Sequence, residues 1–162
     1  MSINATAKSA TADVWGTLAE ADAYHANRLF NSEWTDATDA TKETALKWSS
    51  SLLNLLNWKG LPTDSDQAQS QPRTSLTDRD NYAIDPDVVY EDMKNACFEY
   101  AWVLIKADTT KEADTTGLSK IKVAVIELEI DKTQKKKKIP TNVMDFIKPF
   151  IFSYGTSSVG KG

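Results

Sequence analysis

Two stretches of the chain place apolar side chains at the three- and four-residue spacing of a helix that is buried along one face. The first covers residues 40–57 and the second covers residues 87–107. Asp39 precedes the first stretch, and Asp85 followed by Pro86 precedes the second, as helix-capping residues do. The apolar stripes contain Ala45, Trp48, Leu52, Leu55 and Leu56 in the first, and Val89, Met93, Ala96, Cys97, Tyr100 and Leu104 in the second. Such a chain must pack helix against helix.

Two further helices are predicted nearer the ends of the chain. Thr17 is followed three residues later by Glu20, which is the spacing of a capping box and predicts a first helix over residues 17–29. Residues 140–148 predict a short last helix that Pro149 ends or kinks. Gly60 is suited to a left-handed cap after the helix of residues 40–57.

The pattern changes to the two-residue period of a strand between residues 120 and 131. Apolar residues alternate at 121, 123 and 125 and then at 126, 128 and 130, so the phase slips by one residue. Two short strands joined by a tight turn, or one bulged strand, would produce this slip. The predicted fold class is mainly α: a small bundle of about four helices, with a β-hairpin inserted at 119–131 and an extended C-terminal tail at 150–162.

At 162 residues, the chain has the size of a single domain. Residues 1–16 are predicted to be an N-terminal arm; their small polar side chains favour a loose segment and do not form a secretory signal. Residues 17–149 are predicted to be the helical core. Within it, the polar stretch 61–85 is too long for an inert connection, so it is either a disordered insertion or a working loop.

The chain contains little material for catalysis. Cys97 is the only cysteine and His25 is the only histidine, so a cysteine-based zinc site and a nucleophile–base triad are both poorly supplied. We expect Cys97 to be buried and inert, and His25 to be packed or at the surface. Hydrolysis by Glu20 or Glu33 has no paired carboxylate to support it. We therefore expect a protein that is not an enzyme, with no catalytic residue.

Metal, cofactor and membrane sites are not predicted either. Asp78, Asp80, Asp85 and Asp87 resemble a calcium loop, but they lack the spacing and terminal Glu of an EF-hand, so turn formation is the favoured role. The longest apolar runs are a few residues, far short of the roughly 20 that a membrane-spanning helix requires. We expect no cofactor and no membrane partner.

Charge is divided unevenly along the chain. Residues 1–118 contain ten Lys and Arg against nineteen Asp and Glu, a net charge of −9, whereas residues 119–162 have a net charge of +5. This asymmetry favours self-complementary association or a partner for the basic end over nucleic-acid binding by the whole chain. The basic patch Lys135, Lys136, Lys137 and Lys138 could contact a phosphate backbone or an acidic neighbour, although a solvated loop is favoured.

The order of several motifs resembles a family of tailed-phage head-tail adaptor (head completion, or connector) proteins, which are often labelled DnaT-like single-stranded-DNA-binding proteins. The resemblance extends from about residue 18 to residue 130. The matching motifs are Ala21-Asp22-Ala23-Tyr24, Trp34, the run 42–46, Trp58-Lys59-Gly60, Gln67, Gln71-Pro72-Arg73, the turn 78–81, Ile84-Asp85 and Lys94-Asn95-Ala96. The chain departs from the family at Gln71, where Trp is usual, and at Asn81 and Ala124, where Gly is usual.

The resemblance implies a structural virion protein at the head-tail interface, assembled in the host cytoplasm. About twelve copies would form an oligomeric ring beneath the portal protein and connect it to a downstream tail or nozzle protein. Genomic double-stranded DNA would pass through the lumen without sequence-specific binding, and an acidic body would let it slide. The alternative is a DnaT-like single-stranded-DNA-binding module that uses the tetralysine and tryptophan side chains.

Two sets of contact residues follow from this hypothesis. Portal docking is assigned to Phe150, Ile151, Phe152 and Tyr154 of the tail, which we expect to order only on docking. Contact with a neighbouring subunit or the tail is assigned to Gln71, Pro72, Arg73, Asp78, Arg79 and Asp80 of the long loop.

Overall fold

The two sequence segments with apolar stripes, residues 40–57 and 87–107, form the two long helices at the centre of the molecule. The computed structural model describes residues 2–109 and 139–152, and the predicted mainly helical class is confirmed. The elements are α1 Leu18–Ala26, α2 Ser32–Thr35, α3 Asp39–Asn54, β1 Leu61–Pro62, β2 Arg73–Thr74, α4 Glu91–Lys106 and α5 Thr141–Ile147, after which Lys148–Phe150 forms one turn of 3₁₀-helix.

Helices α3 and α4 pack together through small side chains. Cys97 on α4 lies 3.0 Å from the hydroxyl of Ser49 and 3.2 Å from that of Ser50, both on α3. Small residues at the contact allow two helices to approach closely. Leu46 and Leu53 of α3 are fully buried beside them. The α3–α4 contact is thus the core of the fold.

Helix α1 begins where the sequence predicts. The Thr17 hydroxyl accepts a hydrogen bond from the Glu20 amide, and the Glu20 carboxylate accepts one from the Thr17 amide, so the predicted capping box is confirmed. The helix ends at Ala26, three residues earlier than predicted. The following turn contains the short helix α2, which was not predicted. Trp34 of α2 is buried, and its indole N–H donates to Asp22 at 2.8 Å.

Two predicted caps are wrong. Asp39 is the first residue of α3, and the cap is Thr38, whose hydroxyl accepts from the Thr41 amide. Asp85 does not cap α4, which begins at Glu91; its carboxylate accepts from the Asp87 amide at 2.8 Å and holds a turn. An Asp can satisfy its local hydrogen bond in a turn as well as at a helix start, and the sequence pattern is the same in both.

The N-terminal arm is fixed to the body, so the expectation that it is loose is wrong. Val14 and Trp15 are buried in the core. The Ser9 carbonyl accepts from the Ala68 amide at 3.0 Å, and the Gln69 side chain donates to the Ala12 carbonyl at 2.8 Å. Residues 2–16 therefore pack between the helices and the long loop.

The long loop at 61–85 is ordered. Strands β1 and β2 within it form a short antiparallel pair, with Leu61 opposite Thr74. Gly60, just before β1, has the predicted left-handed conformation, with φ of 69°. The prediction that it caps the helix is wrong, because α3 ends at Asn54 and its C-cap is Leu55. The peptide bond between Gln71 and Pro72 is cis. This β-pair is not the predicted hairpin: residues 119–131, the tetralysine 135–138 and the tail beyond Phe152 lie outside the described residues.

A buried charge network joins α1, α4 and α5. The Glu99 carboxylate on α4 accepts two hydrogen bonds from Arg28, at 2.6 and 3.2 Å. Tyr24 donates to the same carboxylate at 3.0 Å and Asn142 at 2.8 Å. The Arg28 guanidinium also lies 3.9 Å from the ring centroid of Trp102. Only 6% of the Glu99 side chain is exposed, so its charge depends on these partners.

We predict that Arg28→Met lowers the free energy of unfolding by about 3 kcal/mol, because the Glu99 carboxylate remains buried without its cation. Urea denaturation at pH 7 measures the change. The control is Lys8→Met, which removes the cation of the exposed pair with Asp87 and should leave the urea midpoint nearly unchanged. A midpoint for Arg28→Met equal to that of the control would contradict the prediction.

Candidate docking site

Three segments that are distant in sequence meet where α3 ends. The Phe152 amide donates to the Asn57 carbonyl at 2.8 Å, and the Lys59 amide donates to the Phe150 carbonyl at 2.9 Å, so residues 150–152 run antiparallel to residues 57–59. The start of β2 lies against the same turn. We call the surface formed by residues 54–61, 70–74 and 148–152 the basic end.

An open pocket of about 450 Å³ lies in this surface. All three segments line it: Asn54 and Asn57 from the end of α3, Ser70 and Arg73 from the long loop, and Phe152 from the C-terminal segment. The Ser70 hydroxyl is buried and has no hydrogen-bond partner within the described residues. The pocket therefore offers amide, guanidinium and aromatic groups to a ligand.

Arg73 is held by backbone carbonyls. Its guanidinium donates to Lys59 at 2.7 Å, to Gly60 at 2.8 Å and to Ser70 at 3.2 Å. These bonds use three of its five N–H groups, so two can donate to another acceptor. Burial lowers the pKa of the Arg73 guanidinium, yet an arginine stays charged in a protein. The structure places a fixed positive charge in the pocket wall.

The distribution of ion pairs makes this end distinct. Ten Lys and Arg side chains fall within residues 2–109 and 139–152, and seven of them form ion pairs with carboxylates of the chain. The three that have no carboxylate partner among the described residues are Lys59, Arg73 and Lys148, all at the basic end. Lys59 donates to the carbonyl of Pro149 at 2.9 Å, the residue that follows Lys148.

The basic end also carries exposed apolar side chains. Leu55 is 79% exposed, Leu61 is 70% exposed and Phe152 is 60% exposed. Cations beside large apolar groups are typical of surfaces that bind another protein, where arginine and aromatic residues are enriched. The prediction that Leu55 belongs to the buried stripe of residues 40–57 is wrong for this residue. The sequence pattern did not indicate Lys59, Lys148 or Leu61 as surface contacts, because their availability depends on what the folded chain leaves uncovered.

The predicted portal-docking residues separate into two groups. Phe150 is 1% exposed and Ile151 is 5% exposed, so both belong to the core of the monomer. Phe152 is at the surface, and Tyr154 lies outside the described residues. Residues 150–152 are hydrogen-bonded to the turn at 57–59 of the same chain, so these three residues do not depend on docking to become ordered.

The predicted loop contacts also separate. Gln71 and Pro72 are buried, and the Gln71 amide nitrogen has no hydrogen-bond partner within the described residues. Arg73 is their surface member. Asp78 accepts from the amides of Asp80 and Tyr82 at 2.9 Å, which is the turn role expected for it.

The side chain of Arg79 has partners within the chain, whereas that of Asp80 has none among the described residues. Arg79 lies 3.4 Å from Asp92 and donates to the Asp145 carbonyl at 2.7 Å, so its charge is neutralised within the chain. Asp80 is exposed. Among the three residues of this turn, Asp80 alone has a charged group that forms neither an ion pair nor a hydrogen bond within the part of the chain that the structure describes.

His25 and Cys97 are both buried. The His25 ring stacks on Trp34 with centroids 4.3 Å apart, and its Nε2–H donates to the Phe98 carbonyl at 3.2 Å. Burial lowers the pKa of His25 to about 4 and raises the pKa of the Cys97 thiol. A neutral buried imidazole and a protonated buried thiol act as packing groups. This confirms the prediction that Cys97 is buried, and for His25 it confirms the packed position over the surface position.

Residues 2–109 and 139–152 contain no group of three His, Cys, Asp or Glu side chains that could hold a metal ion. No helix in these ranges is both long and apolar enough to cross a bilayer.

A mainly helical domain that has a surface patch of cations and exposed apolar side chains is the class that the fold defines. The model of the family described as "putative DnaT-like ssDNA binding protein" matches residues 1–161. The chain belongs to that family. No curated protein and no solved structure matches it.

We predict that His25 makes the fold sensitive to mild acid. The unfolded chain binds a proton at His25 below about pH 6.5, whereas the folded chain does so only below about pH 4. Stability contributed by the neutral ring is complete above pH 6.5 and is lost as pH falls between these values. Urea denaturation at about pH 7 and about pH 4.5 should show that the native chain loses about 2 kcal/mol more than His25→Gln. Equal losses in both proteins would contradict this.

Proposed function

We propose that this protein is a structural, non-enzymatic head-to-tail adaptor of a tailed phage. Copies form a ring beneath the portal, connect it to a downstream tail protein and surround the channel through which double-stranded DNA passes. The order of motifs between residues 18 and 130 supports this proposal. The family membership is compatible with it, because the adaptor resemblance and the family description fall on the same chain.

The charge of the folded body is the observation that carries the proposal. Within residues 2–109 and 139–152, ten basic side chains face eighteen acidic ones, a net charge of −8. Seven of the ten cations are already paired with carboxylates of the chain. A surface that binds DNA must offer several free cations to phosphates, whereas an acidic surface repels them. Such a body is suited to line a channel along which DNA slides.

The position of Phe152 supports contact with the portal. Phe152 is exposed and directly precedes residues 153–162 in the sequence. An exposed aromatic side chain next to a further chain segment can anchor that segment on a partner.

Single-stranded-DNA binding is the second candidate, and the description of the family favours it. Its cations would come from residues 119–138, including Lys135 to Lys138, which lie outside the described residues. The two candidates differ in one property that is simple to measure, namely affinity for a short oligonucleotide.

We predict that Phe152→Ser weakens binding to the portal of the same phage about tenfold, because burial of a phenylalanine side chain contributes about 1.5 to 3 kcal/mol. Binding is measured by sedimentation of mixtures, and electron microscopy of the native mixture should show annular density at the narrow end of the portal. The control is Tyr82→Ser, which removes another exposed aromatic side chain. Absence of any portal complex with the native chain would reject the adaptor.

We predict that a fluorescein-labelled oligothymidine shows no change in anisotropy with the native chain at micromolar concentrations and about 50 mM salt. Binding that falls steeply with added salt and disappears when Lys135 to Lys138 are replaced by Glu would support the second candidate instead. Replacing Lys8 and Lys106 by Glu, which changes the net charge by half as much, is the control for added negative charge elsewhere on the body.

A further inference from the structure

We infer that the basic end binds exposed carboxylates of a second copy of this chain, with Arg73 as the central contact. This inference rests on the proposed ring and names the contact that would join one subunit to the next.

Comparison of the three arginines shows why Arg73 is the one that is open to an anion. Arg28 is paired with Glu99 at 2.6 Å and Arg79 with Asp92 at 3.4 Å. Arg73 has only backbone carbonyls as partners in the described residues, although it is partly buried. A desolvated charge without a counter-charge is costly, and its cost is recovered when an oxyanion accepts the remaining N–H groups.

The dimensions and charge of the site favour a carboxylate side chain over a DNA strand. The pocket of about 450 Å³ accepts one or two side chains. A single strand presents a phosphate at every nucleotide and needs a continuous basic groove. The described cations without a carboxylate partner number three, and they lie on a body with a net charge of −8. The parts of a polyanion that extend beyond this patch would be repelled by the acidic surface around it.

A second copy supplies the complementary group. Seven exposed carboxylates have no basic side chain within ion-pair distance in the described residues: Asp36, Asp64, Asp66, Asp80, Asp85, Glu91 and Asp145. Each copy therefore carries both unpaired cations at the basic end and unpaired anions elsewhere. A contact between two different surfaces of identical chains is heterologous, which is the type of contact that closes into a ring. Exposed Leu55 and Leu61 would add apolar burial around the ion pairs.

Sedimentation velocity of the full chain tests the inference. At about 50 mM salt the native chain should self-associate, and about 500 mM salt should weaken the association about tenfold. The double variant Lys59→Glu/Lys148→Glu should weaken it by at least as much, and Arg73→Gln should do so about tenfold. Lys8→Glu/Lys106→Glu changes the net charge by the same amount away from the basic end and should alter the association less than about twofold.

The lysine variants keep the test valid if Arg73→Gln fails to fold, because Lys59 and Lys148 are exposed and lack carboxylate partners among the described residues. Self-association of Lys59→Glu/Lys148→Glu equal to that of its control overturns the inference, as does a native chain that stays monomeric at about 500 µM in low salt. So does oligonucleotide binding that these variants abolish, since the basic end would then hold a phosphate. A ring on the portal that forms equally well with the lysine variants leaves the adaptor proposal intact while rejecting this contact.

Discussion

The packing of α3 against α4 is the contact on which the remaining structure depends. The side chains of Ser49, Ser50 and Cys97 are small, so the two helices approach closely enough for Leu46 and Leu53 to be fully buried. Helix α5 lies on α4, and the N-terminal arm inserts Trp15 beside α3 with a hydrogen bond from its amide to Ser50. Larger residues at these positions would separate the helices and remove the support for every element that packs on them.

Charge neutralisation in this protein is a property of the fold. The pairs Lys8–Asp87, Lys94–Glu20 and Arg28–Glu99 each join residues more than seventy positions apart. Each pair joins a residue of an N-terminal segment to one in the loop or helix that follows residue 85. Opposite charges that are distant in the sequence therefore neutralise each other in the folded chain. The exception is the basic end, where the turn at 57–60, the loop at 70–74 and residues 148–152 meet with no carboxylate partner among the described residues. A patch of cations without carboxylate partners in the described part of the chain therefore lies there.

Predictions from the sequence are correct where the interaction joins near neighbours, and they fail where distant segments decide the outcome. The capping box of Thr17 and Glu20 spans three residues and is correct, as is the left-handed Gly60. The start of α4 is wrong, because Asp85 forms its bond to Asp87 in a turn and the long loop holds residues 86–90 in place. The short helix α2 has too few residues for a periodic signal, and it exists because Trp34 is buried against His25.

The amino-acid sequence by itself determined that this protein is mainly helical, where its longer helices lie, and that Cys97 is a core residue. Those properties depend on neighbours within one or two helical turns, which a pattern of apolar residues records. Only the tertiary structure decided that Phe150 and Ile151 are core residues, that Phe152 is exposed, and that Arg73 lines a surface pocket. The sequence could not specify these outcomes, because burial and ion pairing depend on which distant segments the fold brings into contact.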